Sequence, residues 1–277
     1  MARVAVIGHV EWVTHARGRL PQRGEIAVFA DHFEEPGGGG GVSVAQVAKL
    51  GVDCSFYTAL GTDAAAGQCE HVLRALGMDV LAARRAEPQR RVLSVVEEGD
   101  VDRTIFVVGP PQWPTTDDPL PWDELTTFDA VYFTGDDPRT LIAARRARHV
   151  VVAARRLDTL VASGIQADVL VASASDPAEL AARESLPHRP RVVIFTEGSR
   201  GGRYVEQGRP ERRYEAAPLP GRAVDSYGSG DSFAAGVTVG LGRGLALEDA
   251  IALGARCGAA CLTGRGGLAA QLREPAG

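Results

Sequence analysis

The sequence predicts an α/β fold: a parallel sheet covered by helices on both faces, with a small accessory β-sheet beside it. Three observations carry this. Short apolar runs bounded by glycine or polar residues recur along the chain and read as buried strands. Segments with helical spacing lie between many of them, and such alternation implies a parallel sheet with helices on each side. Two stretches, 24–35 and 90–108, break the alternation with β-branched and aromatic residues.

In chain order, the first buried strand is Val4–Ile7. In the first helical segment Val44, Val47 and Ala48 share a face, and Gly51 stands where a helix would stop. In the next, Cys69, Val72, Leu73 and Leu76 repeat at helical spacing before Gly77. Residues 90–108 read as a hairpin whose charged turn contains Gly99-Asp100. Residues 110–121, rich in proline, threonine and aspartate, read as a surface loop. Four more buried strands follow at Ala130–Phe133, Val150–Val152, Val169–Val171 and Val192–Phe195. The small-sheet segments 24–35 and 91–108 are expected to pair with each other and to stand off the main domain.

Bulk properties exclude several classes. The 277 residues suffice for one domain with a sizeable core, and the net charge of −5 with no basic stripe argues against nucleic acid. The arginine pairs Arg84-Arg85 and Arg155-Arg156 read as solvated faces. No apolar run is long enough to span a bilayer, and the N-terminal run reads as a strand, so no membrane partner and a cytoplasmic location are expected. Cys54, Cys69, Cys257 and Cys261 form no metal-binding pattern and read as packed, reduced thiols. Lys49 is the only lysine, and it follows no phosphate-loop motif. If the chain handles ATP, it does so without a phosphate-loop lysine.

The strongest chemical signal is Asp225-Ser226-Tyr227-Gly228-Ser229-Gly230-Asp231. Phe233, Val237 and Leu241 then repeat every four residues, so Asp231 stands at the start of a helix. The first N–H groups of a helix lack internal partners and attract anions, and a glycine turn leaves them open. A carboxylate there lies beside a phosphoryl group in transfer and can take the proton of an attacking hydroxyl. The same position also suits a plain helix cap.

This segment resembles the C-terminal signature of the ribokinase-like, or PfkB, carbohydrate kinases. The departures are Ser226 for threonine and Ser229 for alanine. The resemblance gives Asp231 the role of base and makes Gly228, Ser229 and Gly230 an anion hole. It extends over nearly the whole chain, read as one kinase domain over 1–277. Gly37–Gly41 and the following VSVAQVAKLG are similar to the family's N-terminal glycine signature, which assigns Gly38, Gly39 and Gly40 to the sugar. Thr58–Gln68 is similar to a further family element. Arg103-Thr104 falls in the lid hairpin, with Arg103 toward the substrate. Thr196–Gly201 is similar to a strand-turn along the nucleotide, which assigns Thr196, Gly198 and Gly201, together with Ser226, Gly228 and Gly230, to ATP. The resemblance implies a Rossmann-like three-layer α/β/α domain, with a lid built from about 11–36 and 90–108. It also implies ATP and Mg²⁺ as cofactors, a small sugar-like substrate and, in many members, a homodimer through the lids.

The chain departs from the family at recognition positions. Val13 stands where the family has a sugar-binding aspartate, and Glu11 is the nearest acidic substitute. Val42 replaces an asparagine. Ser173–Asp176 stands for the motif that organises magnesium, which leaves Asp176 as the metal carboxylate. Asp225 corresponds to a residue near a monovalent-cation site, here K⁺. His9 and Asp136-Asp137 are open between substrate contacts and ordinary structural roles. Two functions follow: a sugar or nucleoside kinase, or a relative that binds nucleotide or sugar without turnover.

Overall fold

The computed structural model describes residues 1–181 and 188–275. Its strands are β1 (Arg3–Ile7), β2 (Glu11–Arg17), β3 (Asp31–Gly37), β4 (Asp53–Leu60), β5 (Asp79–Arg84), β6 (Arg91–Val96), β7 (Arg103–Val108), β8 (Ala130–Phe133), β9 (His149–Ala153), β10 (Val169–Ser173), β11 (Val192–Thr196), β12 (Gly202–Glu206) and β13 (Arg212–Tyr214). Its helices are α1 (Gly38–Lys49), α2 (Ala64–Ala75), α3 (Pro138–Ala144), α4 (Leu157–Ser163), α5 (Pro177–Ala181), α6 (Ser229–Gly242) and α7 (Leu247–Cys261).

The large sheet runs β13-β12-β11-β10-β9-β8-β1-β4-β5, parallel from β11 to β5, with β12 and β13 antiparallel at one edge. All five buried strands expected from the sequence lie in its parallel part. Alternate residues feed opposite faces, as strand geometry requires. Val4 and Val6 join one core with residues of α1, α6 and α7, while Ala5 and Ile7 join the other with residues of α3 and α4. Gly51 and Gly77 take positive φ just past α1 and α2. The four cysteines are buried and unpaired.

Helices α6 and α7 meet along Gly236, Gly240 and Gly254. A Cβ on Gly236 would lie 2.7 Å from Gly254 Cα, so the helices touch backbone to backbone. This contact holds α6 against the sheet, with its first turn at the C-terminal ends of β1 and β8.

The small sheet has the order β3-β2-β6-β7. The segments expected to pair directly do share it, but β2 lies between them, antiparallel to β3 and parallel to β6. Strand β3 begins only at Asp31. Ile26 and Val28 suggested a strand there, yet they are 92% and 87% exposed and pair with nothing. The hairpin of β6 and β7 is as expected, with Gly99 at positive φ in its turn. The glycines at 37–41 are no loop. Gly37 ends β3, and Gly38 to Gly41 form the first turn of α1.

Candidate active site

A cavity of about 340 Å³ opens at the C-terminal ends of β1, β8, β9, β10 and β11. This is where open α/β sheets place ligands. The small sheet covers one side through Ile105 and Val107. Strand alternation turns the intervening Phe106 away.

Two helix N-termini converge on the cavity. Gly228, in the left-handed region at φ 76°, leads into α6, and no side chain caps that helix. The Asp231 carboxylate therefore does not serve as the cap; it lines the cavity, half-buried. Opposite stands the first turn of α1, where Gly38 N donates to Tyr227 Oη at 2.9 Å. A Cβ on Gly39 would lie 3.3 Å from Asp231 Oδ1, and one on Gly40 would lie 2.5 Å from the His9 carbonyl oxygen. Close approach of the turn to the His9 backbone and ring, to Val10 and to the carboxylate leaves no room for side chains, so glycines run together here. Burial pushes the Asp231 carboxyl above the ordinary aspartate range, with Arg155, His9 and Arg103 acting against it.

At one end lie His9, Glu11, Arg90, Arg103 and Arg156. Glu11 Oε1 is 3.5 Å from His9 Nε2 and 3.4 Å from Arg90 Nε. Burial works to raise its carboxyl, but His9, then Arg90 and Arg156, outweigh burial and hold it below the usual range. At the other end lie Ser173, Glu179 and Thr196. Glu179, buried, accepts from Ser173 N at 2.6 Å and from Arg155 Nε at 3.1 Å.

Of the residues expected at the site, Asp231, Gly228, Gly230, Glu11, Gly38, Gly39, Arg103 and Thr196 line the cavity. Gly40 lies behind Gly38 and Gly39 in the same turn. Ser229 Oγ donates to the Ser226 carbonyl oxygen at 3.0 Å, tightening the turn. Ser226 joins the lid: Arg103 Nη1 donates to its Oγ at 2.8 Å, and its N donates to the Val101 carbonyl oxygen at 2.8 Å. Gly198 and Gly201 shape the turn beyond β11, both at positive φ. Asp176 accepts from Ala178 N at the start of α5 and stays outside the cavity. The carboxylate that enters is Glu179, one helical turn on. Asp225 ties two loops, its oxygens accepting from Tyr227 N and Gly266 N. Val13 and Val42 pack with Tyr227 in a small core under the lid. Asp137 caps α3, and Asp136 pairs with Arg156 at 3.3 Å.

Arg155-Arg156 is not a plain solvated face. The Arg155 side chain remains 72% exposed but meets Glu179 at the cavity. The Arg156 side chain is 20% exposed, lies 4.3 Å over the Trp113 ring and donates to the Thr134 carbonyl oxygen. Arg85 likewise forms a bidentate pair with Asp118, both bonds at 2.7 Å. The stacking partner Trp113 comes from the 110–121 segment, so no local signal marks Arg156 as buried.

Residues 1–273 match the model of the pfkB family carbohydrate kinases. The chain belongs to the pfkB family of carbohydrate kinases. Within this pfkB kinase, 90 residues are 37% identical to the ATP-dependent 6-phosphofructokinase isozyme 2 of Mycobacterium tuberculosis, covering 32% of this chain and 26% of that protein. A 76-residue stretch is 40% identical to the acarbose 7(IV)-phosphotransferase of an Actinoplanes species, covering 27% of this chain and 25% of that protein. The matches thus span about a quarter of these relatives. Ribokinase from Thermotoga maritima superposes with a TM-score of 0.80 at 21% identity, over 99% of this chain and 97% of that one. Adenosine kinase from Sinorhizobium meliloti gives 0.77 at 19% identity, over 96% and 95%. The chain therefore has the ribokinase-like fold, with its smaller sheet. Among the described residues, no helix is long and apolar enough to cross a membrane.

Proposed function

We propose that this pfkB kinase transfers the γ-phosphoryl group of ATP to a hydroxyl of a sugar-like small molecule in the cytoplasm, with Asp231 as base. The observation that carries the reading is Asp231 itself: a carboxylate in the cavity, one turn into an uncapped helix, facing the glycine turn of α1.

The acceptor hydroxyl lies against Asp231, which orients it and takes its proton as the new P–O bond forms. The bond from γ-phosphorus to the bridging oxygen breaks, and ADP leaves with that oxygen. Such transfer asks little covalent work of the protein, so position and charge stabilisation dominate. The N–H groups of Gly228 and Gly230 stabilise the phosphoryl oxygens, while the Ser229 N–H donates to the Ser226 carbonyl oxygen at 3.4 Å and tightens the turn. Ser173, Thr196 and Glu179 bound the nucleotide end, beside the turn of Gly198 and Gly201. Among the described residues no group of three or more metal-ligating side chains exists. Mg²⁺ would be held by the ATP phosphates and water, with the Glu179 carboxylate available to it at this end of the cavity. When bound, Mg²⁺ neutralises developing phosphate charge. Asp225, tied to two backbone N–H groups, is left as the anchor of any K⁺ site, and no step depends on it. The reading includes a homodimer through the lid.

The test is coupled detection of ADP release with a panel of sugars, sugar phosphates, sugar acids and nucleosides. Release above background with at least one is expected. Binding of ATP with no release for any member would instead make the protein a nucleotide-binding module.

A further inference from the structure

We infer that the acceptor carries an anionic group, a phosphate monoester or a carboxylate, held by Arg90 and Arg156 at the Glu11 end of the cavity. This rests on the kinase reading and specifies its substrate class.

The argument begins with unmet donors. Arg90 is about four-fifths buried, and its Nε is buried with no hydrogen-bond partner. Its one ion pair among the described residues is with Glu11 at 3.4 Å. Arg156 is equally buried, and its one acidic partner, Asp136, is half-exposed and outside the cavity lining. Arg103 Nε is buried and unpartnered, and its Nη1 bonds only the neutral Ser226. Arg90, Arg103 and Arg156 thus face this end, with Glu11 as the lining carboxylate here, Asp136 paired to Arg156 from outside the lining, and Asp231 further along the cavity. A buried guanidinium short of acceptors is costly, so the missing acceptors come from the ligand.

The geometry narrows the ligand further. A neutral sugar hydroxyl brings one proton of its own for each oxygen. A phosphate or carboxylate brings acceptors only and matches the planar fork of arginine bidentately. Arg156 has its plane fixed by the Trp113 ring at 4.3 Å, and that ring also meets His9 edge-on at 4.5 Å. The fork is therefore held before the ligand arrives. The ATP phosphates do not fill this place, because the nucleotide end lies across Asp231, at Ser173 and Thr196. Glu11 pairs with Arg90 and Asp136 with Arg156, and the third guanidinium, Arg103, bonds only a neutral hydroxyl, which leaves positive charge at this end for one anion.

The experiment uses the full chain saturated with ADP, so that the nucleotide end is filled. Inorganic phosphate and acetate are titrated separately by calorimetry into the parent, Arg90→Gln and Arg156→Gln. Saturable binding of one anion is expected, weakened at least tenfold in both variants, with ADP affinity within about twofold of the parent. Phosphate binding alone identifies a sugar phosphate, and acetate binding alone a sugar acid. Arg90→Lys, which keeps the charge and loses the fork, should fall between. Binding of neither anion, or equal binding in parent and variants, overturns the inference. So does a neutral sugar whose kcat/KM exceeds that of its phosphorylated and carboxylated counterparts. Each of these results leaves the kinase reading standing, since that reading is judged by ADP release across the panel.

Discussion

Asp231, half-buried in the cavity wall, and Lys49, buried, are ionisable groups, and each links the fold to pH in its own direction. The Asp231 carboxyl sits above the ordinary aspartate value because burial disfavours its charge. As the proposed base, Asp231 must be ionised to work, so turnover should fail on acidification at a higher pH than for an unperturbed aspartate. The native state also holds that proton more tightly than the unfolded chain does. Stability therefore falls as pH rises through the raised value. Asp231→Asn should lower kcat by roughly 10²–10⁴-fold, the range for a positioned acid–base group. It should leave the melting temperature equal or higher. Near-parental turnover, in a coupled ADP assay run beside a thermal melt, removes Asp231 from the mechanism. Lys49 is 8% exposed, donates to the Leu268 carbonyl oxygen, and is brought down to about 8, by burial first. Here the unfolded chain binds the extra proton, so stability rises with pH from about 8 toward the ordinary lysine value. Relative to the parent, Lys49→Met should lose that rise in melts taken across this range.

Two glycines of one turn separate folding from function at the scale of the element. Gly228 has φ 76°, and a Cβ there would lie 2.8 Å from Val42 Cγ1 and 3.2 Å from Gly267 Cα. Gly228→Ala should destabilise the protein by about 1–2 kcal/mol from backbone conformation alone, more with the overlap. A Cβ on Gly230 meets nothing within 4 Å, since it projects into open space at the cavity. Gly230→Ala should keep the melting temperature and, if this turn is the proposed anion hole, still impair turnover, because a methyl group would then crowd the phosphoryl oxygens. Equal turnover for Gly230→Ala and parent would remove this turn from the anion hole. This turn was legible in the sequence, as were the strands buried on both faces, because continuous apolar runs and glycine spacing are local signals. Strand β2 was harder. Glu11 and His15 share the buried face of Val13, and Ala16 on the other face is also buried, which masks the apolar alternation of EWVTHAR. Arg156 was illegible for a related reason: its burial depends on Trp113, more than forty residues earlier. Glu179 enters the cavity from a five-residue helix too short to show a period.

The molecule as a whole leaves one strand edge open beside its active site. Strand β7 ends the small sheet, so one row of its backbone N–H and C=O groups has no partner strand. Exposed edges of this kind invite pairing with another chain and are normally covered or charged. Here the edge is apolar: Ile105, Phe106, Val107 and Val108 are 42%, 46%, 47% and 65% exposed. Ile105 and Val107 face the cavity, which leaves Phe106 and Val108 for the outer side. A second copy pairing edge to edge would satisfy the backbone and cover these side chains, in a twofold arrangement where the same strand serves both partners. Sedimentation velocity at micromolar concentration should therefore show a dimer, and Phe106→Glu should shift it to monomer by burying a charge at the centre of the contact. The same strand carries Arg103, which bonds Ser226 beside the catalytic turn. Losing the dimer should thus loosen the lid and raise KM for the acceptor more than KM for ATP. A parent protein that sediments as a monomer at tens of micromolar would show that β7 closes over the cavity without a partner.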